Sequence, residues 1–200
     1  MNKIVYLHGF NSSPESYKAK LLLAHMQRCG LRDYIEVPEI PAQPAKAIEL
    51  LQQRVEAINR NTQVSLVGSS LGGFYATWLA EKYYCPAVLI NPAVKPHALL
   101  RHYLGVNTNL YTAERWLLDE SHIKEFRALY VDQITHTQRY LVLLQTGDQT
   151  LDYREAKEKY AGCPCIIEQG GSHEFDGFER YLDKILSFCN VKPINKLFLT

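Results

Sequence analysis

The stretch that most constrains this chain is Gln63–Phe74, QVSLVGSSLGGF. An apolar, β-branched run leads into Gly68-Ser69-Ser70-Leu71-Gly72, and helix-compatible residues follow. That order reads as a strand, a hard turn and the opening of a helix. A serine hydroxyl is a poor nucleophile unless the backbone thrusts it out beside a base and an oxyanion site. A strand reversing sharply into a helix does this, provided the flanking positions are small enough for the two elements to approach. Gly68 and Gly72 supply that room around Ser70, whereas Ser69 has no such symmetric pair. The helix that follows offers an unpaired backbone N–H, that of Leu71, to an anion held above Ser70.

Elsewhere the chain alternates short apolar runs with helical patterns. Lys3–Leu7 reads as a buried strand ending at His8-Gly9-Phe10-Asn11. Ser12 or Ser13, with Pro14, is positioned to start a helix running to about Cys29, closed by Gly30. Tyr34–Val37 is expected as a strand. About 45–60 is expected as a helix, with Ile48, Leu51, Val55 and Ile58 on one face. Val64–Val67 is the strand before the turn and Leu71–Tyr83 the helix after it. Ala87–Ile90, Tyr140–Leu144 and Cys165–Glu168 complete the strands. Helices are expected at Asp152–Tyr160 and Asp176–Cys189, with Asp176 and Glu179 spaced as a capping box. The segment 93–139 reads as a short, irregular helical insertion, rich in aromatics (Tyr103, Tyr111, Trp116, Phe126, Tyr130). The expected domain is 1–190, with 191–200 a tail to which no role is assigned.

Six strands alternating with helices argue for a mainly parallel sheet covered on both faces, an α/β fold. Ligands of such sheets bind beyond the carboxyl ends of the strands. Phe10, Ser70, Asp148 and His173 all fall there, each just after an expected strand.

A serine nucleophile needs a base, and histidine is suited to that near neutral pH. Of seven histidines, His8 reads as a brace for its loop and His25 as a helix residue, while four lie in the insertion. His173 follows the last strand in a Gly-Gly-Ser-His loop, from which it can reach over the sheet edge to Ser70. The acid that orients the imidazole should also follow a strand. Asp148, in Thr146-Gly147-Asp148, is the preferred candidate. Asp152 is its rival, though its spacing to Glu155 suits a helix cap. Two convergent N–H donors are needed for an oxyanion; Leu71 supplies one and Phe10 the other. Asn11 is a weaker donor candidate. Asn11, Tyr111 and Trp116 are candidate substrate contacts.

The loop HGFNSSP, the turn GSSLGG, the segment TGDQTLDY and the segment GGSHEFDGFE together resemble the α/β-hydrolase superfamily, and more narrowly the small bacterial esterases of the YqiA type. The resemblance spans roughly Lys3 to Cys189. It implies a compact α/β-hydrolase fold with a short or absent cap. It also implies hydrolysis of a carboxylic ester or acyl thioester without metal or organic cofactor. Carried onto this chain, it makes Ser70 the nucleophile, Asp148 the acid, His173 the base, and Phe10 and Leu71 the oxyanion donors.

The remaining function classes are narrowed by charge and composition. A net charge of +1 gives no reason to expect a nucleic-acid or membrane-surface partner. No early stretch has the pattern of a signal peptide, and no apolar run approaches membrane-spanning length. Five scattered cysteines suit reduced thiols in a cytoplasm; Cys163-Pro164-Cys165 lacks the second pair that a zinc site would need. The expectation is therefore a cytoplasmic serine esterase, with a monomer favoured, acting on a small-molecule ester of short acyl chain. The alternatives are an acyl thioesterase with the same residues, a C–C bond hydrolase on the same scaffold, and a non-catalytic binding protein of the same fold.

Overall fold

The computed structural model describes residues 1–192. Strands β1 (Lys3–Leu7) and β2 (Ile35–Glu36) flank helix α1 (Tyr17–Arg28), and α2 (Pro44–Asn59) leads to β3 (Val64–Ser69). Then come α3 (Leu71–Tyr83), β4 (Ala87–Ile90), a short α4 (Pro96–Leu99), β5 (Gly105–Thr108), β6 (Arg115–Leu118) and α5 (Glu120–Ala128). The described residues continue with β7 (Tyr140–Gln145), α6 (Tyr153–Lys159), β8 (Cys165–Glu168) and α7 (Leu182–Phe188). Six strands form one sheet in the order β2-β1-β3-β4-β7-β8, and every pairing in it is parallel.

The strand sequences explain why both faces are covered. Successive side chains point to opposite sides. Ile4 and Tyr6 of β1, with Val67 of β3, Val88 of β4 and Leu143 of β7, pack against Leu22 and Met26 of α1 and Leu182 and Ile185 of α7. Val5, Leu7, Leu66, Leu89 and Val142 pack the other way, against α2, α3, α5 and α6. Burial on two faces is why the central strands read as unbroken apolar runs rather than alternating ones.

Several boundaries and one element type differ from the sequence expectations. The segment 93–139 is not uniformly helical: β5 and β6 pair antiparallel as a hairpin, with Asn107 opposite Trp116. Four-residue strands carry too little periodicity to be separated from irregular helix. Helix α1 starts at Tyr17, because Ser13 is used in a turn that accepts the Glu15 N–H on its Oγ. The Asp176–Glu179 capping box does not form. Gly177 is left-handed, a 3₁₀ turn covers Phe178–Tyr181, and the Asp176 carboxylate accepts from Ser172 Oγ instead. At the end of α7, Asn190 is left-handed, its N–H reaches the Ser187 carbonyl, and the Val191 N–H reaches that of Leu186. This closure buries Val191, so the start of the 191–200 tail belongs to the core. Residues 193–200 lie outside the described residues.

Candidate active site

Ser70 stands at the junction of β3 and α3 with φ 55° and ψ −122°. A non-glycine residue in that region is strained, and three backbone hydrogen bonds hold it there. Its N–H donates to the Ile90 carbonyl at 3.0 Å, and its carbonyl accepts from Gly73 N at 2.9 Å and Ala93 N at 3.0 Å. The flanking glycines answer a steric demand. A Cβ on Gly68 would collide with the Gly72 carbonyl, and one on Gly72 would collide with the Leu7 carbonyl at the end of β1.

The imidazole of His173 reaches Ser70 from the loop after β8, with Nε2 at 3.0 Å from Oγ. Nδ1 lies 2.8 Å from Asp148 Oδ2. A carboxylate accepts, so Nδ1 carries the proton and Nε2 is left as the acceptor for the serine hydroxyl. Asp148 itself is held by the N–H groups of Thr150 and Leu151, each 2.8 Å from Oδ1. Its side chain is only 2% exposed and that of His173 17%, so the contact is largely removed from water. Asp152 is elsewhere: it caps α6 by accepting from Arg154 N and pairs with the Arg154 guanidinium at the surface. The arginine and the helix-end N–H hold its carboxyl below the usual range.

Two loops are zipped together to make this contact. Gly147 N–H donates to the Gly170 carbonyl and Gly170 N–H to Thr146 Oγ1, both at 2.8 Å. A Cβ on Gly147 would collide with the Gly171 carbonyl, one on Gly171 would collide with the Gln145 side chain, and Gly170 and Gly171 both take positive φ. Behind them are two residues the sequence pattern did not single out. Asn91, at the end of β4 with φ 39°, donates from Nδ2 to the carbonyls of Ser172 (3.0 Å) and His173 (3.3 Å). Gln145 accepts on Oε1 from Ser172 N at 3.0 Å and Asp176 N at 2.8 Å. Asn91 Oδ1 accepts the Gln145 N–H at 3.0 Å, tying the two together. The available signal was a polar residue at the carboxyl end of each of two apolar strands.

Phe10 and Leu71 line the same cavity as Ser70 and His173, a space of about 200 Å³. Among the described residues neither N–H donates to another backbone group. Gly9 sits against the serine, since a Cβ there would lie 3.3 Å from Ser70 Cβ. His8 is buried and braces this loop: Nε2 accepts the Ile40 N–H at 3.1 Å, so the proton sits on Nδ1 and faces the Gly9 carbonyl. Burial lowers the pKa of His8.

The walls of the cavity come from Ala93, Leu99, Leu100, Tyr103 and Leu151, all apolar or aromatic. Asn11, Tyr111 and Trp116, the expected substrate contacts, do not line it. Asn11 and Trp116 satisfy each other, the indole N–H donating to Asn11 Oδ1 at 2.8 Å. Tyr111 lies exposed in the turn between β5 and β6. Position along the insertion could not distinguish a residue facing the serine from one facing away. Among the described residues no three His, Cys, Asp or Glu side chains converge as a metal site, and no helix is long and apolar enough to cross a membrane.

Sheet order, serine elbow and loop edge define a member of the α/β-hydrolase superfamily. Within it, the chain belongs to the uncharacterised protein family UPF0227, whose family model matches residues 3–190. Solved structures with the same fold include the mouse α/β-hydrolase domain-containing protein 10. It is 16% identical with a TM-score of 0.75, over 94% of this chain and 89% of that one. The esterase Est1E of Butyrivibrio proteoclasticus, solved with ferulic acid bound, is 13% identical with a TM-score of 0.68, over 94% and 88% of the two chains. The Pyrococcus furiosus esterase Pf2001 is 17% identical with a TM-score of 0.63, over 94% and 80%. At such identities the likeness is one of fold.

Proposed function

We propose that this protein is a serine esterase that hydrolyses carboxylic esters of short acyl chains. The observation that carries the reading is the continuous chain from Asp148 through His173 to Ser70, with contacts of 2.8 and 3.0 Å. It opens onto an apolar cavity flanked by two backbone N–H groups. In this reading Ser70 Oγ attacks the ester carbonyl while His173 Nε2 takes its proton. The Asp148 carboxylate stabilises the imidazolium, and the Phe10 and Leu71 amides hold the tetrahedral oxyanion. His173 then protonates the leaving alcohol. Water, deprotonated by the same imidazole, releases the acid from the acyl-enzyme.

That the relatives in fold include proteins described as esterases is consistent with this assignment. The deciding experiment is hydrolysis of p-nitrophenyl esters from two to twelve carbons by the wild type and Ser70→Ala, with matched oxygen and sulfur esters alongside. Loss of turnover in the variant and a maximum at short chains are expected. Undiminished hydrolysis by Ser70→Ala would sink the assignment, and a strong preference for the sulfur ester would move it to a thioesterase.

A further inference from the structure

Phe10 does more than carry an amide. Its ring lies between two aromatic neighbours, edge to face with Tyr103 at 6.0 Å and with Trp116 at 5.7 Å. Tyr103 lines the cavity at Ser70. Trp116 lines a second cavity of about 230 Å³, floored by Leu71, Tyr75, Ile40 and Ala42, which does not reach Ser70. The two spaces have Gly9, Phe10 and Leu71 in common. Of these, Gly9 has no side chain and Leu71 is 7% exposed within the core. The Phe10 ring, only partly buried, is the other side chain common to both linings.

The second cavity is not explained by the chemistry at Ser70. Its lining is mixed: Ile40, Ala42, Leu71, Tyr75 and Trp116 give it an apolar part, and His8, Asn11, Ser12, Glu39, Gln43, Asn109 and Glu114 a polar one. The apolar part of that lining suits the far end of an alkyl chain. A negatively charged tail would meet the carboxylates of Glu39 and Glu114.

Resting on the esterase reading, we propose that the Phe10 side chain is the wall that limits acyl length. The space behind it is a closed-off extension of the acyl pocket, able to take a neutral medium-length alkyl chain once the ring is gone. The ring is held by packing against Tyr103 and Trp116, so the short-chain limit comes from one aromatic partition rather than from the total room available. Removing the side chain leaves the Phe10 backbone N–H in place.

The test is the acyl-chain profile of Phe10→Ala and of the milder Phe10→Leu, with folding of each checked by circular dichroism. Beyond the wild-type limit, kcat/KM of Phe10→Ala should rise by about fourfold for each added CH₂ that enters the second cavity. Phe10→Leu should fall between the two. Adding Ala42→Phe to Phe10→Ala should refill the space and restore the short-chain limit. Two results would overturn the proposal: an unchanged acyl profile in folded variants, or a widened tolerance for the alcohol in an alkyl acetate series without any change on the acyl side.

A binding measurement separates this proposal from the catalytic one. In a Trp78→Phe background Trp116 is the single remaining indole, since the chain has two tryptophans. Titration with 1-octanol should shift its fluorescence at lower concentration in Phe10→Ala than in the parent. An equal response in both would remove the partition. Hydrolysis of no ester by any variant would remove the esterase reading, with the octanol response still deciding whether Phe10 is a wall.

Discussion

The side-chain amide of Asn91 donates to the backbone carbonyl of His173 at 3.3 Å. A residue at the tip of β4 therefore grips the loop that delivers the imidazole from β8, on the far side of β7. Asn91 is 2% exposed, and so is Gln145, the other residue holding this loop. Buried amides with all their partners in place behave as rigid brackets.

Asn91→Ala removes the donor to two carbonyls and the acceptor of the Gln145 N–H. The expected result is a fall in kcat of about ten- to a hundredfold with little change in KM, because displacement of a catalytic group by an ångström costs that much. Stability should fall by about 1–3 kcal/mol from the orphaned buried groups. Steady-state kinetics and urea titration measure the two. Full activity in the variant would mean the loop holds its shape without the bracket.

Asp148 and Asp152 should separate cleanly. Asp148→Asn leaves the shape nearly intact but removes the carboxylate that fixes the Nδ1–H tautomer, so kcat should drop on the order of 10³–10⁴-fold. Asp152→Asn should leave kcat/KM unchanged and lower Tm slightly, as a helix cap paired with a surface arginine would. The reverse ranking in an ester assay would exchange the two roles.

The strain at Ser70 predicts a stability gain where activity is lost. Ser70→Gly and Ser70→Ala should both be inactive. Only glycine relaxes the positive φ, so Ser70→Gly should be more stable than Ser70→Ala by about 1–2 kcal/mol. Equal denaturation midpoints for the two would show that the serine backbone stores no strain.

His8 supplies a pH dependence with a definite sign. Its folded pKa is lowered by burial, and its Nε2 must stay unprotonated to accept the Ile40 N–H. The unfolded chain therefore binds the proton more readily. Its contribution is fully present above the unfolded value of about 6.5 and is lost as pH falls toward the folded value. His8→Gln, which offers Ile40 an uncharged acceptor, should lose less stability between about pH 7.5 and 5.5 than the wild type does. Parallel urea midpoints at the two pH values would remove His8 from the acid response.

Backbone sterics and periodicity are local, and what depended on them was legible in the chain itself. The β3–turn–α3 run, its two glycines and the tip position of Ser70 follow from which residues can approach a sharp reversal. The six parallel strands follow from apolar runs separated by helical patterns, and Gly30 closes α1 as a left-handed residue should. Other features came from residues far apart in sequence. Asp148 and Asp152 both follow β7 and both suit a carboxylate's role. What separates them is that Gly147 packs on Gly171, carrying Asp148 to His173 while Asp152 turns out to cap α6. Asn91 and Gln145 acquire their function only once β4, β7 and the His173 loop lie side by side. Asn11 and Trp116, polar and aromatic enough to suit a substrate, spend those groups on each other across 105 positions of chain. Local rules set where the chain turns and which atoms can be exposed at the turn. Partner choice among distant groups was decided by packing, because a hydrogen bond or a ring contact is available only to whatever the folded sheet brings within reach.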